Sequence, residues 1–213
     1  MTTERMTVLE ALDELKLLDA RINKEIGSAQ FSTCNKHSNA RLNGKTIDEF
    51  KGNAKASFDK ITMLLKRRDA IKRSVVLSNA ITKVTIAGEE MTVAEAIDRR
   101  DYGNDLRQYF VNQISSQYET AKNTIARENG SNLTARADDY VVRLYGNAEK
   151  SGNNDVVSNA RKAYIEANTL DLIDPIDSEK VIKELTEEID TFISKVKSAL
   201  TASNAQTVIE ITY

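Results

Sequence analysis

No proline interrupts the first 174 residues, and Pro175 is the only one in the chain. Glycine is also scarce, with eight in 213 residues. Proline removes a backbone donor and clashes with the preceding turn, while an interior glycine costs about 1 kcal/mol against alanine. A chain so poor in both is committed to long helices, and apolar spacing marks where they run. The first is expected from about Thr7 to Ile26, with Ala11, Leu15, Leu18, Ile22 and Ile26 on one side. The second is expected from Ile47 to Ala80, along Phe50, Phe58, Ile61, Leu64, Leu65, Ile71, Val75 and Val76. At about 1.5 Å per residue it would span about 50 Å, longer than a compact domain needs, although Gly52 threatens its first turn. A third runs from Val93 to about Glu128, with Leu106, Phe110, Ile114, Ala121 and Ile125 in register. Gly103 marks a kink or interruption inside it and Gly130 a stop. Shorter helices are expected at Leu133 to Tyr145 and Asp155 to Leu172, separated by a polar loop from Gly146 to Asn154 that is expected to be the most mobile.

Helix starts are written twice in nearly the same letters. Met6 to Asp13 reads MTVLEALD and Met91 to Asp98 reads MTVAEAID. Each contains a T-x-x-E capping box, Thr7 with Glu10 and Thr92 with Glu95, in which hydroxyl and carboxylate satisfy two orphan backbone donors reciprocally. Thr46 with Glu49 offers a third, weaker start. Short hairpin signals precede two of these starts, at about 40–47 around Asn43-Gly44, which fits a type I′ turn, and at about 83–92 around Gly88. The echo is either a repeated structural unit or the coincidence of two capped helices.

Beyond Pro175, Asp177 or Ser178 caps a last helix reaching about Ala202. Its apolar residues Ile182, Leu185, Ile189, Phe192, Val196 and Ala199 alternate spacings of three and four, a heptad seam suited to helix–helix contact. The tail changes character. Val208, Ile209, Ile211 and Tyr213 favour strands, and a terminal strand must pair, either inside the chain or with a neighbour's sheet. The expected organisation is therefore a mainly α, long-helix bundle or coiled coil. Residues 1–174 would form the helical domain with its two short ribbons, and 175–213 an oligomerisation or docking element.

Composition narrows the function. Lys and Arg total 30 against 32 Asp and Glu, a net charge of -2, without the basic surplus of nucleic-acid or membrane-surface proteins. Cys34 stands alone, so no internal disulfide framework exists. No apolar run approaches a membrane span, and Met1 to Glu10 lacks the hydrophobic stretch of a leader, so the bacterial cytoplasm is the expected compartment. Cys34 and His37 have the spacing of two zinc ligands, but a closed site needs four. The pairs Glu89-Glu90, Asp138-Asp139 and Glu187-Glu188 place neighbouring acids on different helix faces, which reads as solvated surface rather than a catalytic dyad. The basic run Lys66-Arg67-Arg68 with Lys72 and Arg73 has no interleaved aromatics for base stacking. No phosphate loop or hydrolase signature occurs. Catalytic, cofactor and metal residues are accordingly assigned to none.

Three stretches, MTVLEALDELKLLDARI, LLKRRDAIKRSVVLSNAITKVTIAGEEMTVAEAIDRRD and VVSNARKAYIEANTLDLI, together resemble the septicolysin-like family of uncharacterised bacterial and phage proteins. The resemblance covers about residues 6–26 and 60–172. The family's second helix-start string corresponds to Glu95 through Asp101, and Asn168-Thr169 stands where the family has Asn-Trp. The resemblance implies a mainly helical, oligomerising protein and carries no established catalytic residues. The expected function is a non-enzymatic assembly subunit, a phage neck, tail or baseplate component, working with other protein subunits and copies of itself. A membrane-active toxin, as the family's name implies, or a small-ligand or nucleic-acid-binding regulator are the alternatives.

Overall fold

The computed structural model describes residues 2–42, 44–146 and 154–213. It is mainly α, in the order β1 (Thr3–Thr7), α1 (Val8–Ser28), β2 (Arg41–Leu42), β3 (Lys45–Thr46), α2 (Ile47–Ile81), β4 (Lys83–Ile86), β5 (Glu89–Thr92) and α3 (Val93–Asp98). A π turn over Arg99–Gly103 leads to α4 (Asn104–Arg127), and a second over Glu128–Asn132 leads to α5 (Leu133–Tyr145). The chain ends with α6 (Asn154–Asn168), α7 (Ser178–Gln206) and β6 (Val208–Thr212). The expected interruption at Gly103 and the expected stop at Gly130 both lie in π turns, and Gly130 leaves helical geometry at φ -75°, ψ -134°. Gly52 breaks nothing: α2 runs through it. No helix among the described residues is long and apolar enough to cross a membrane.

Contacts divide the chain into two compact units, residues 1–102 with 191–213, and residues 103–190. The division does not fall at 174/175. Residues 175–213 are no appendage, because the second half of α7 and all of β6 are built into the core of the first unit.

In that first unit, β1 pairs antiparallel with β6, from Thr3 opposite Thr212 to Thr7 opposite Val208. The strand β1 was not foreseen, since its partner lies at the far end of the sequence. Strands β4 and β5 form a hairpin, Lys83 opposite Thr92 and Ile86 opposite Glu89. Its turn residues Ala87 and Gly88 both take positive φ, 56° and 89°, as a two-residue primed turn requires. The small β2–β3 hairpin pairs Arg41 with Thr46, and Gly44 sits at φ 82°. Asn43, on which the type I′ assignment also depends, lies outside the described residues.

Each ribbon leads into a helix through the same device. Thr7, Thr46 and Thr92 are N-caps with φ near -71° and ψ near 157°, and all three capping boxes are complete. The Glu10, Glu49 and Glu95 carboxylates accept from the backbone N–H of their caps at 2.8, 2.7 and 2.7 Å.

The echo in the sequence is a repeated unit in space. Ser78-Asn79-Ala80-Ile81-Thr82 before β4 is matched by Ser203-Asn204-Ala205-Gln206-Thr207 before β6. Thr82 and Thr207 donate back to Ser78 and Ser203 at 2.8 and 2.9 Å, and accept from Val93 and Val8 at 2.8 and 2.9 Å. Val84 faces Met91 as Ile209 faces Met6. The cores match too. Val8, Ala11, Ile209 and Ile211 are joined by Ile71 and Val75 of α2, and Val93, Ala96, Val84 and Ile86 by Val196 and Leu200 of α7. Each long helix therefore covers the ribbon that the other helix leads into. The exchange locks the two halves together, because neither ribbon keeps its core without the other half's helix.

The second unit holds α4, α5, α6 and the first turns of α7. Leu133, Ala137 and Val141 form the buried stripe of α5, and Tyr140 stacks on Tyr164 of α6 with ring centroids 4.6 Å apart. Gly146 ends α5 at φ 63°. Most of the loop expected at Gly146 to Asn154 lies outside the described residues. Helix α6 stops at Asn168, short of Leu172. The start of α7 is held by Asp174, whose carboxylate accepts from the Ser178 N–H and hydroxyl at 2.8 Å each.

Candidate interaction surfaces

The heptad residues expected to meet another chain are largely spent inside this one. Phe192 and Val196, with Ala199 beside them, pack on the β4–β5 ribbon and α3. Ile189 is buried, and Ile182 and Leu185 are half-buried. The heptad spacing marks an apolar stripe but not what covers it, because periodicity records how wide such a stripe is and not whose surface lies against it. The tail behaves alike. Ile209 and Ile211 point into the first core, whereas Val208 is exposed and Tyr213 lies at the rim. One edge of β6 is paired with β1, so the tail strand finds a partner within the chain.

Two members of the basic run on α2, Arg67 and Arg68, are likewise committed. Arg67 bonds Glu14 of α1 at 2.5 Å and Glu4 of β1 at 2.8 Å, lies 4.7 Å from the centre of the Tyr213 ring and donates to its hydroxyl. Arg68 pairs with Asp19 at 2.5 Å and Lys60 with Glu25 at 2.5 Å. Hydrogen bonds from Arg67 and then Tyr213 hold the Glu4 carboxyl below its ordinary range, and the two carboxylates push the Arg67 guanidinium up. Glu4 in turn raises the Tyr213 phenol, with burial adding to it. This cluster was missed because its members come from three distant stretches. The signal that finds it is the repeat. The matching place on α7 is Phe192, with Arg99 of the π turn 4.4 Å from its ring centre and bonded to Glu89 at 2.6 Å. In both halves an arginine reaches the glutamate that stands before the capping threonine, Glu4 or Glu89. One arginine comes from the long helix and the other from the π turn after the short one.

Cys34 and His37 are both exposed, and no group of three or more His, Cys, Asp or Glu that could hold a metal ion occurs among the described residues. Several members of the acidic pairs sit in ion pairs, Glu90 with Lys83 at 2.7 Å and Asp138 with Arg161 at 2.6 Å.

What remains open is apolar. The α2 stripe splits: Ile61, Ile71 and Val75 turn inward, while Phe58, Leu65 and Val76 are exposed. On α4 only Val111 is buried of the apolar face, and Leu106, Tyr109 and Phe110 stand out at 72%, 64% and 57% exposure. Leu106 and Phe110 were expected in a core register and are surface residues. Two further features oppose each other in character. A largely apolar groove of about 670 Å³ runs along α2 beside Tyr213, lined by Ala56, Met63 and Leu64 with Arg21 and Lys66 at its edge. The segment Leu170 to Ile176 carries Leu172, Ile173 and Ile176 outward.

Comparison with protein-family models, with curated proteins and with solved structures returned no match.

Proposed function

We propose that this chain is a non-catalytic assembly subunit of a larger protein complex. The observation that carries the reading is the outward apolar face of α4, where Leu106, Tyr109 and Phe110 are exposed, with Phe58 of α2 and Ile173 before α7 exposed as well. Large apolar side chains gathered on the outer face of one helix mark a place that another surface covers. The heptad seam no longer supports the proposal, since its buried residues serve the internal core. The support has moved to the outward faces of α2 and α4 and to the loop before α7. The finer placement, a phage neck, tail or baseplate, follows from the resemblance to septicolysin-like proteins of bacteria and phages.

Light scattering on the eluting full-length chain tests the proposal across a wide concentration range, alone and mixed with the products of neighbouring genes. A mass of two or more copies, or a stable mixed complex, is expected. A monomer that binds none of these partners overturns it.

A further inference from the structure

The loop before α7 is held rigid at both ends. The Asn129 side chain donates to the Leu170 carbonyl at 2.7 Å and accepts from its N–H at 2.8 Å, so one amide closes the first end. The Asp174 carboxylate fixes the second through Ser178 at 2.8 Å. Between these anchors Ile173 is 90% exposed, with Leu172 and Ile176 beside it. Nothing in the unit that holds the loop uses the Ile173 side chain. An apolar side chain fixed in place loses little conformational freedom on docking, which is what makes such a loop an effective anchor.

The groove on α2 has the complementary form. Met63 is 68% exposed on one wall and Tyr213 closes another. Met63 belongs to neither buried apolar cluster of the first unit, so its side chain is free to line the groove.

Charge completes the match. Asp171 and Asp177 flank the loop, and the groove is lined by Arg21, Lys60, Lys66 and Arg67 against one acid, Asp59, so its lining is net positive. No ion pair holds Asp171, Asp177, Arg21 or Lys66 among the described residues, whereas Arg67, Arg68 and Lys60 are all paired. Opposite potentials at a contact steer association and set register.

We propose that the Leu172–Ile176 loop of one copy seats in the α2–Tyr213 groove of a second copy, with Asp171 and Asp177 against Arg21 and Lys66. The proposal rests on the assembly reading and names its partner. Loop and groove are different patches, so the contact is head-to-tail and each copy offers one of each.

Two full-length variants test it by sedimentation velocity. Ile173→Asp breaks the loop and leaves the groove; Met63→Glu breaks the groove and leaves the loop. Both positions are exposed, and circular dichroism verifies that the fold is retained. Each variant alone is expected to associate at least about thirtyfold more weakly than the native chain, the loss typical of a central anchor. An equimolar mixture is expected to form a one-to-one pair that grows no further, since one intact loop meets one intact groove. Variants that associate like the native chain, or a mixture that stays unpaired, overturn the loop–groove contact while oligomers of the native chain leave the assembly reading standing. A native chain that is monomeric at every concentration overturns the loop–groove contact; the assembly reading falls with it only where the mixed-partner measurement is also negative.

Discussion

Tyr213 donates its hydroxyl to the Glu4 carboxylate at 2.8 Å, across a ribbon whose two strands come from opposite ends of the sequence. Side chains thus reinforce the backbone ladder that runs from Thr3–Thr212 to Thr7–Val208. The last strand is a load shared with the core, since Ile211 is 0% exposed against Val8, Ala11 and Ile71.

Replacing Ile211 by alanine is therefore expected to destabilise the fold by about 2–5 kcal/mol, the range for truncating a well-packed aliphatic side chain. Urea unfolding followed by circular dichroism measures it. A strand that served only to dock on a neighbour would lose association and keep its unfolding midpoint. A midpoint unchanged by Ile211→Ala would show that β6 is not integral to the first unit.

The repeat makes a sharper prediction at the arginine clusters. Arg67→Phe places on α2 the residue that α7 carries at Phe192, but it leaves Glu4 and Glu14 side by side without their cation. A loss of about 1–3 kcal/mol is expected from the broken charge-assisted bonds. Adding Glu14→Arg imports the other half's arrangement, because Glu14 matches Arg99 in distance from its capping threonine. The double variant is expected to recover at least half of the loss. Double-mutant cycle analysis gives the coupling, and additive effects would mean that the two clusters are not interchangeable solutions of one packing problem.

Much of this architecture was legible in the letters. The capping boxes at Thr7, Thr46 and Thr92 set helix starts to within a residue, because a cap is a local bargain between one hydroxyl, one carboxylate and two backbone donors. Gly103 and Gly130 marked the breaks in the third long helix. Strand β1 was not legible, nor was the exchange of α2 and α7 between the two ribbons. Both depend on pairing residues nearly the whole chain apart, and no local period encodes that. The signal was nevertheless present: Ser203-Asn204-Ala205 repeats Ser78-Asn79-Ala80 at the same distance before a strand. Among surfaces, the seam at Phe192 and Val196 was read as exposed because an apolar stripe looks the same whether its cover is internal or external. The residues leading into the Ile173 loop, Thr169 to Leu172, were read as the end of a helix that stops at Asn168.

The caps themselves can be weighed. Thr92→Ala removes the acceptor for the Glu95 N–H, at 3.1 Å, and the hydroxyl that holds the Glu95 carboxylate at 2.8 Å. A loss of about 1 kcal/mol is expected, typical of an N-cap replaced by alanine. Thr7→Ala is expected to cost the same amount within error, since the two caps share geometry and partners. Thermal unfolding of both variants decides it. Clearly unequal losses would mean that the surroundings, not the cap, set the stability of each helix start.

Acid and alkali should act on the same elements from opposite sides. Glu4 is held below its usual 4.5 by Arg67 and Tyr213, and Glu10, Glu49 and Glu95 by the backbone N–H of their caps. Asp174 lies below 3.8 through the Ser178 N–H. A carboxyl whose folded value is depressed binds fewer protons than its unfolded counterpart, so its contribution is present above the unfolded value and is lost as pH falls through the folded one. Stability is thus expected to hold down to about pH 4.5 and to decline below it. Tyr213 runs the other way. Its phenol is raised above 10.0, so what it contributes is present below that pH and disappears as pH climbs through the raised value. Tyr213→Phe removes that ionisation, so the variant is expected to lose less stability than the native chain above pH 10; because Glu4 then keeps only the hold of Arg67, its acid decline is expected to be slightly shallower as well. Urea midpoints across the pH range test both arms. An alkaline decline identical in the two proteins would assign it to Lys83, whose ammonium is raised by Glu90, and Tyr118, whose phenol is raised by burial and Glu179, and not to the Tyr213–Glu4 contact.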